Sequence, residues 1–188
     1  ENNPKPTRAE ASDVANAILD GTSAVMLSGE TAIGKYPIEA VRVLNTIALR
    51  AEASLGEYGY LQKIKQQASD VITQAISQAS VSMSANLKAA AIISLTESGF
   101  TSRQISKYRP DCPILAITAS EMVARKLSMN WGVLPVLYRG EPDDELRIDF
   151  AIDKVKEIVN AGEGDILVVT SGHLQQRGGT DLVRIITL

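Results

Sequence analysis

Between Ala89 and Pro110 the chain reads AAAIISLTESGFTSRQISKYRP, and this stretch constrains the architecture more than any other. Its first seven residues, Ala89 to Leu95, form an apolar run broken only by the small Ser94. That is the pattern of a strand buried on both faces of a parallel sheet. A hydroxyl-rich turn follows, Thr96-Glu97-Ser98-Gly99-Phe100-Thr101-Ser102. A helix is predicted from there to about Tyr108, with Pro110 as its stop. Thr101 and Gln104 have capping-box spacing, which predicts the helix start at the end of the turn. A strand, a glycine and hydroxyl turn and a helix N-terminus together can hold a phosphate, because free amides and the positive end of the dipole face outward there. The same hydroxyls would serve equally as helix caps, and the Glu97 carboxylate repels the same anion.

The segments around this stretch repeat its alternation. A long helix is predicted over about Ser69 to Ala85, with Ile72, Ala75, Ile76 and Ala79 on its inner side. After the central helix come a second strand, Ile114–Thr118, a helix capped by Ser120 and ending near Trp131-Gly132, and a third strand from Val133 to Tyr138. Gly140 to Asp144 reads as a polar loop, followed by a helix to Asn160 with Gly162 as its stop. A fourth strand, Ile166 to Thr170, leads into the loop Ser171–Thr180, and Leu182–Leu188 forms a last edge strand. The expectation is an α/β domain of three layers, αβα. Its five-stranded sheet is mostly parallel in the order 3-2-1-4-5, with the last strand an antiparallel edge. In that order the sheet reverses between its first and fourth strands, where such folds bind ligands. The Thr96–Ser102 turn and the Ser171–Thr180 loop would then face one crevice, within reach of Arg147 and Arg177.

The first fifty-odd residues do not fit this domain. Pro6-Thr7 opens a helix with a capping box from Thr7 to Glu10, and Ala11, Val14, Ala15 and Ile18 share one face of it until Asp20-Gly21. A short apolar strand is predicted at Ala24–Leu27, then a polar turn, Ser28 to Lys35. Pro37 then starts a helix to roughly Ala53 with Val41, Leu44, Ile47 and Ala48 inward. One strand has nothing to pair with, so this part reads as the last piece of a larger α/β fold, and the chain as cut from something longer. Residues 1–55, a linker at 56–67 and a domain at 68–188 are the expected divisions.

Composition narrows the class of function. At 188 residues and 45% hydrophobic the chain can bury a sizeable core. Its net charge of −3 argues against nucleic acid and membrane surfaces as partners. A single Cys112 and a single His173 leave no internal disulfide and too few ligands for a cysteine or zinc cluster. No apolar window approaches membrane-spanning length, and a cytoplasmic location is expected.

The segment PTRAEASDVANAILDGTSAVMLSGETAIGKYPIEAV, with TESGFTSRQISKYRP and the closing GGTDLVRI, closely resembles the C-terminal third or so of pyruvate kinase. The resemblance implies that residues 1–55 are the end of a (β/α)8 catalytic barrel and that 68–188 are that family's C-terminal allosteric domain. It implies phosphoryl transfer from phosphoenolpyruvate to ADP in glycolysis, with Mg2+ and K+, whose ligands in the family lie upstream of these residues. It leaves no metal-binding or catalytic residue here, and Ser28, Gly29 and Glu30 serve only as active-site wall. It places a phosphorylated metabolite, such as fructose 1,6-bisphosphate, against Thr96, Ser98, Gly99, Thr101, Ser102, Arg147, Gly178, Gly179 and Thr180. Glu97 stands where some activated members carry lysine. The rest of the enzyme chain and further copies, a tetramer in the full enzyme, are the implied partners. A stand-alone phosphometabolite-binding domain and a purely structural domain with an empty crevice are the alternatives.

Overall fold

The computed structural model describes residues 3–58, 71–172 and 179–188, which fall into two compact units, Glu1–Lys65 and Gln66–Leu188. In the first unit α1 (Arg8–Leu19) begins as the sequence predicts. The Thr7 amide donates to Glu10 Oε2 at 2.7 Å, and the Glu10 amide donates to Thr7 Oγ1 at 3.3 Å. Ile18 is buried on the expected face, and Gly21, at φ 93°, takes the chain out of the helix in a conformation that favours glycine. Residues 24–27 form no strand. Among the described residues of this unit there is no strand for them to pair with, and Met26 stays 86% exposed. A one-turn helix, α2 (Gly29–Ala32), follows, and then α3 (Pro37–Glu52), with Pro37 in its first turn. Leu44, Ile47 and Ala48 are half-buried, but Val41 is exposed and Ala51 is the buried residue of this helix. A short α4 (Leu55–Tyr58) closes the described part of the unit.

The second unit holds α5 (Val71–Leu87), β1 (Ala91–Leu95), α6 (Phe100–Lys107), β2 (Ile114–Thr118), α7 (Glu121–Leu127), β3 (Val133–Leu137), α8 (Asp144–Val159), β4 (Ile166–Ser171) and β5 (Leu182–Thr187). The five strands lie in the order β3-β2-β1-β4-β5, parallel except for β5, which runs antiparallel to β4. This is the predicted sheet. Its centre is dry: every residue of β1 and β2 is buried. Ile92, Ile93, Ile114, Leu115, Ile117 and Leu167 have no exposed surface, and each contributes about 1.5–3 kcal/mol of hydrophobic stabilisation. Alternation along the strands divides the core into two layers. Ile93, Leu95, Leu115, Ile117 and Val169 pack with Ile148, Ala151 and Val155 of α8. Ile92, Ile114, Ala116 and Val168 pack with Ile105 of α6 and Leu127 of α7 on the opposite face.

Several helices depart from their predicted form, and α7, for one, ends at Leu127 and not near Trp131-Gly132. In α5 the buried side chains are Thr73, Gln74, Ser77, Ser80 and Ser84, while Ile72 is 66% exposed. The helix turns its hydroxyl face inward because each serine satisfies itself on its own helix. Ser77 Oγ donates to Thr73 O and Ser80 Oγ to Ile76 O, both at 2.7 Å, and Ser84 Oγ donates to Val81 O at 2.9 Å. A small residue with a self-satisfied hydroxyl can lie against a sheet at little polar cost. At the end of α8 the left-handed cap is Asn160, at φ 58°, and not Gly162.

Candidate functional site

The strand order reverses between β1 and β4, and the residues in question lie at the carboxyl ends of these two strands. From β1 the chain enters a tight turn in which the Gly99 amide donates to Thr96 Oγ1 at 2.9 Å. Gly99 is the N-cap of α6 with a left-handed backbone, φ 75°. A Cβ there would lie 2.9 Å from Arg103 Nη1 and 3.0 Å from Leu127 Cδ2, so conformation and space both favour glycine. Arg103, which the sequence did not single out, braces the turn by donating to Ser98 O at 3.1 Å.

The predicted capping box at Thr101 is absent. The helix starts at Phe100, so Thr101 and Gln104 are already inside it, and both are buried. Thr101 spends its hydroxyl on Thr180, the two oxygens 2.5 Å apart, which ties α6 to the segment before β5. Ser102 points into the core, where its Oγ donates to Ser94 Oγ of β1 at 3.0 Å. Of the four expected hydroxyls, Ser102 donates to Ser94, Thr101 is bonded to Thr180, Thr96 accepts from the Gly99 amide, and Ser98 is half-buried. That leaves the start of α6, where Phe100 is half-buried and Thr101 and Ser102 are buried. Its first intrahelical bond is from the Arg103 amide to Gly99 O, so the amides of Phe100, Thr101 and Ser102 have no partner within the helix.

Arg147 comes to this turn from the other face of the sheet. It sits in the first turns of α8, whose start is fixed by Asp143 Oδ1 accepting from the Leu146 amide at 3.0 Å. Its side chain is 6% exposed, with Nη1 3.5 Å from Asp144 Oδ1 and Nη2 3.0 Å from Glu97 Oε1. At the carboxyl end of β4, a Cβ on Gly172 would lie 2.2 Å from Gly179 O, so the two glycines are in close contact. Gly179 and Thr180 thus lie against Gly172 and Thr101, whereas His173, Arg177 and Gly178 lie outside the described residues.

Ser28, Gly29 and Glu30 are in the first unit. Ser28 precedes α2 without a side-chain cap, and Glu30 Oε2 accepts from its amide at 3.0 Å. Hydrogen bonds from its own amide and from that of Ser28 hold the Glu30 carboxyl below its ordinary pKa. Glu30 lines a cavity of about 610 Å3 with Val14, Val25, Tyr36, Val43 and Ile47, a feature that the sequence did not foretell. Among the described residues no group of three or more His, Cys, Asp or Glu side chains is placed to hold a metal ion. Nor is any helix there long and apolar enough to cross a membrane.

Comparison with known proteins bears on both units. The family described as "Pyruvate kinase, alpha/beta domain" matches residues 74–186, and "Pyruvate kinase, barrel domain" matches residues 1–41. A pyruvate kinase of Sporosarcina psychrophila is 44% identical over 187 residues, 98% of this chain and 32% of that protein. One of Clostridium acetobutylicum is 45% identical over 95% of the chain and 38% of its own length. Pyruvate kinase 2 of Synechocystis sp. is 45% identical over 98% of the chain and 31% of its own length. The chain thus spans about a third of the length of these relatives. With a fold and family matches that agree along nearly its whole length, the chain belongs to the pyruvate kinase family.

Proposed function

We propose that this chain is the C-terminal part of a pyruvate kinase, working in the cytoplasm within an enzyme that transfers a phosphoryl group from phosphoenolpyruvate to ADP with Mg2+ and K+. Residues 1–55 are the end of its catalytic barrel, 56–67 a linker and 68–188 its allosteric domain, which also contributes contacts to a homo-oligomer, a tetramer in the full enzyme. The chain alone is inactive, because the family's metal ligands and catalytic lysine have no counterparts in its motifs and phosphoryl transfer rests on those charges. A coupled assay at saturating phosphoenolpyruvate and ADP is expected to stay at background.

The crevice between residues 96–102 and 171–180 takes a phosphorylated metabolite. The observation that carries this reading is the buried Arg147 guanidinium at the turn that starts α6. A cation taken out of water, one of whose donors, Nη2, has no hydrogen-bond partner, suits an oxyanion. Isothermal titration with fructose 1,6-bisphosphate, ribose 5-phosphate, glucose 6-phosphate and AMP tests it. Binding of at least one of the four, lost on Arg147→Gln, is expected. If all four fail at millimolar concentration, the crevice is structural.

A further inference from the structure

Arg147 is already held by an anion that belongs to the protein. We propose that Glu97 is a built-in competitor at this crevice: its carboxylate occupies the Arg147 guanidinium, and an incoming oxyanion binds by displacing it. The proposal rests on the reading of the crevice as an anion site given above.

A guanidinium with 6% of its surface exposed has lost most of its hydration and needs a counter-charge. Two carboxylates supply it, Asp144 from the start of the same helix and Glu97 from the turn after β1. Their side chains remain 40% and 43% exposed, so neither is locked in place by burial. The Glu97 contact is also incomplete. Although Oε1 lies 3.0 Å from Nη2, that nitrogen has no hydrogen-bond partner of acceptable geometry. Arginine binds best when oxygens lie in the plane of its fork. Glu97 reaches across from a turn whose ends are tied together by the Gly99 amide and Thr96 Oγ1, and its carboxylate neutralises the charge without meeting the donor along its axis. A free oxyanion has no such tether and can satisfy charge and donor together. Glu97 loses little on leaving, since its side chain is already partly in water.

Displacement differs from simple repulsion in one measurable respect. Repulsion by Glu97 acts on an anion whether or not Arg147 is there, whereas competition acts only through Arg147. The full chain, Glu97→Gln, Arg147→Gln and the double variant are titrated with inorganic phosphate, followed by the backbone amide resonances of Phe100, Thr101 and Ser102. Glu97→Gln is expected to bind phosphate on the order of tenfold more tightly than the unaltered chain. The double variant is expected to bind no more tightly than Arg147→Gln alone. A gain that persists in the Arg147→Gln background means that Glu97 only repels, and overturns the proposal. Equal binding by Glu97→Gln and the unaltered chain, with loss in Arg147→Gln, overturns the competitor and leaves the anion site standing. Absence of binding by every variant overturns both. If Arg147→Gln does not fold, Glu97→Asp decides. It keeps the negative charge at the turn but draws the carboxylate back from Nη2, so it is expected to tighten binding, and affinity equal to the unaltered chain overturns the proposal.

Discussion

A charge at position 102 would enter the core instead of the mouth of a crevice. Ser102 has no exposed surface, and its hydroxyl is bonded to Ser94 beneath it. Ser102→Asp is therefore expected to destabilise the second unit by more than about 3 kcal/mol, because a buried carboxylate is charged in an apolar layer or must be protonated there. Ser102→Ala, which only orphans Ser94 Oγ, is expected to cost about 1–2 kcal/mol. Urea midpoints for the two variants check this, and a midpoint for Ser102→Asp within error of the unaltered chain would show the residue to be at the surface. Cys112 allows a second check at this scale. Burial pushes its thiol pKa up, outweighing the hydrogen bond with Ser84. A raised pKa leaves less thiolate at neutral pH, so alkylation by iodoacetamide is expected to be slower than that of a free cysteine at pH 7.5 and to rise through a higher pH window. A rate equal to that of free cysteine at pH 7.5 would contradict it. At the turn the residue types are legible in the sequence, but the direction of their side chains is not. Spacing brings Thr101 and Ser102 to a helix start, but only the path of the chain after Gly99 decides that both hydroxyls point inward. Nothing local to Arg147 indicates that it is buried or that Glu97 meets it.

Among the elements, α5 shows where hydrophobic periodicity misleads. Ile72, Ala75, Ile76 and Ala79 form a plausible apolar stripe, yet the buried stripe is that of Thr73, Ser77, Ser80 and Ser84. Apolar pattern ranks faces by transfer energy, whereas close packing of a helix ranks them by size, and the face buried here is the one of small residues. Two substitutions at one position of this face are therefore expected to act in opposite directions. Ser77→Ala is expected to be neutral or slightly stabilising, since the lost bond was to the helix's own Thr73 carbonyl and alanine is the better helix former. Ser77→Leu must force the helix off the sheet and is expected to cost about 1–3 kcal/mol. Thermal melts of the pair decide it, and a stable leucine variant would mean that the helix tolerates a gap. The strands were legible because β1, β2 and β4 are continuous apolar runs between turn residues, where two buried faces leave no other reading. Residues 24–27 carry the same composition without a partner strand and stay unpaired, a difference that composition cannot register.

At the scale of the whole molecule the sheet has two unlike edges. On β3, Pro135 stands opposite Ala116, and a proline removes a donor and discourages further pairing. β5 has no such guard. Among the described residues those from Leu182 to Thr187 pair with β4 on one side only, and Val183 and Ile186 turn to opposite faces, each packing beside a different core layer. Leu182 and Ile185, 49% and 42% exposed, leave apolar surface on both sides of this bare edge. A second copy pairing antiparallel along β5 would continue the sheet and cover both. The Arg184–Glu145 ion pair, exposed at both ends, offers little resistance, since such pairs contribute less than about 1 kcal/mol. Sedimentation of the chain at high micromolar concentration is therefore expected to show a dimer. Ile185→Lys, which places a charge at the edge without touching the buried layers, is expected to return a monomer with an unchanged circular dichroism spectrum. A monomer at that concentration for the unaltered chain would mean that the edge is closed by something other than its own copy.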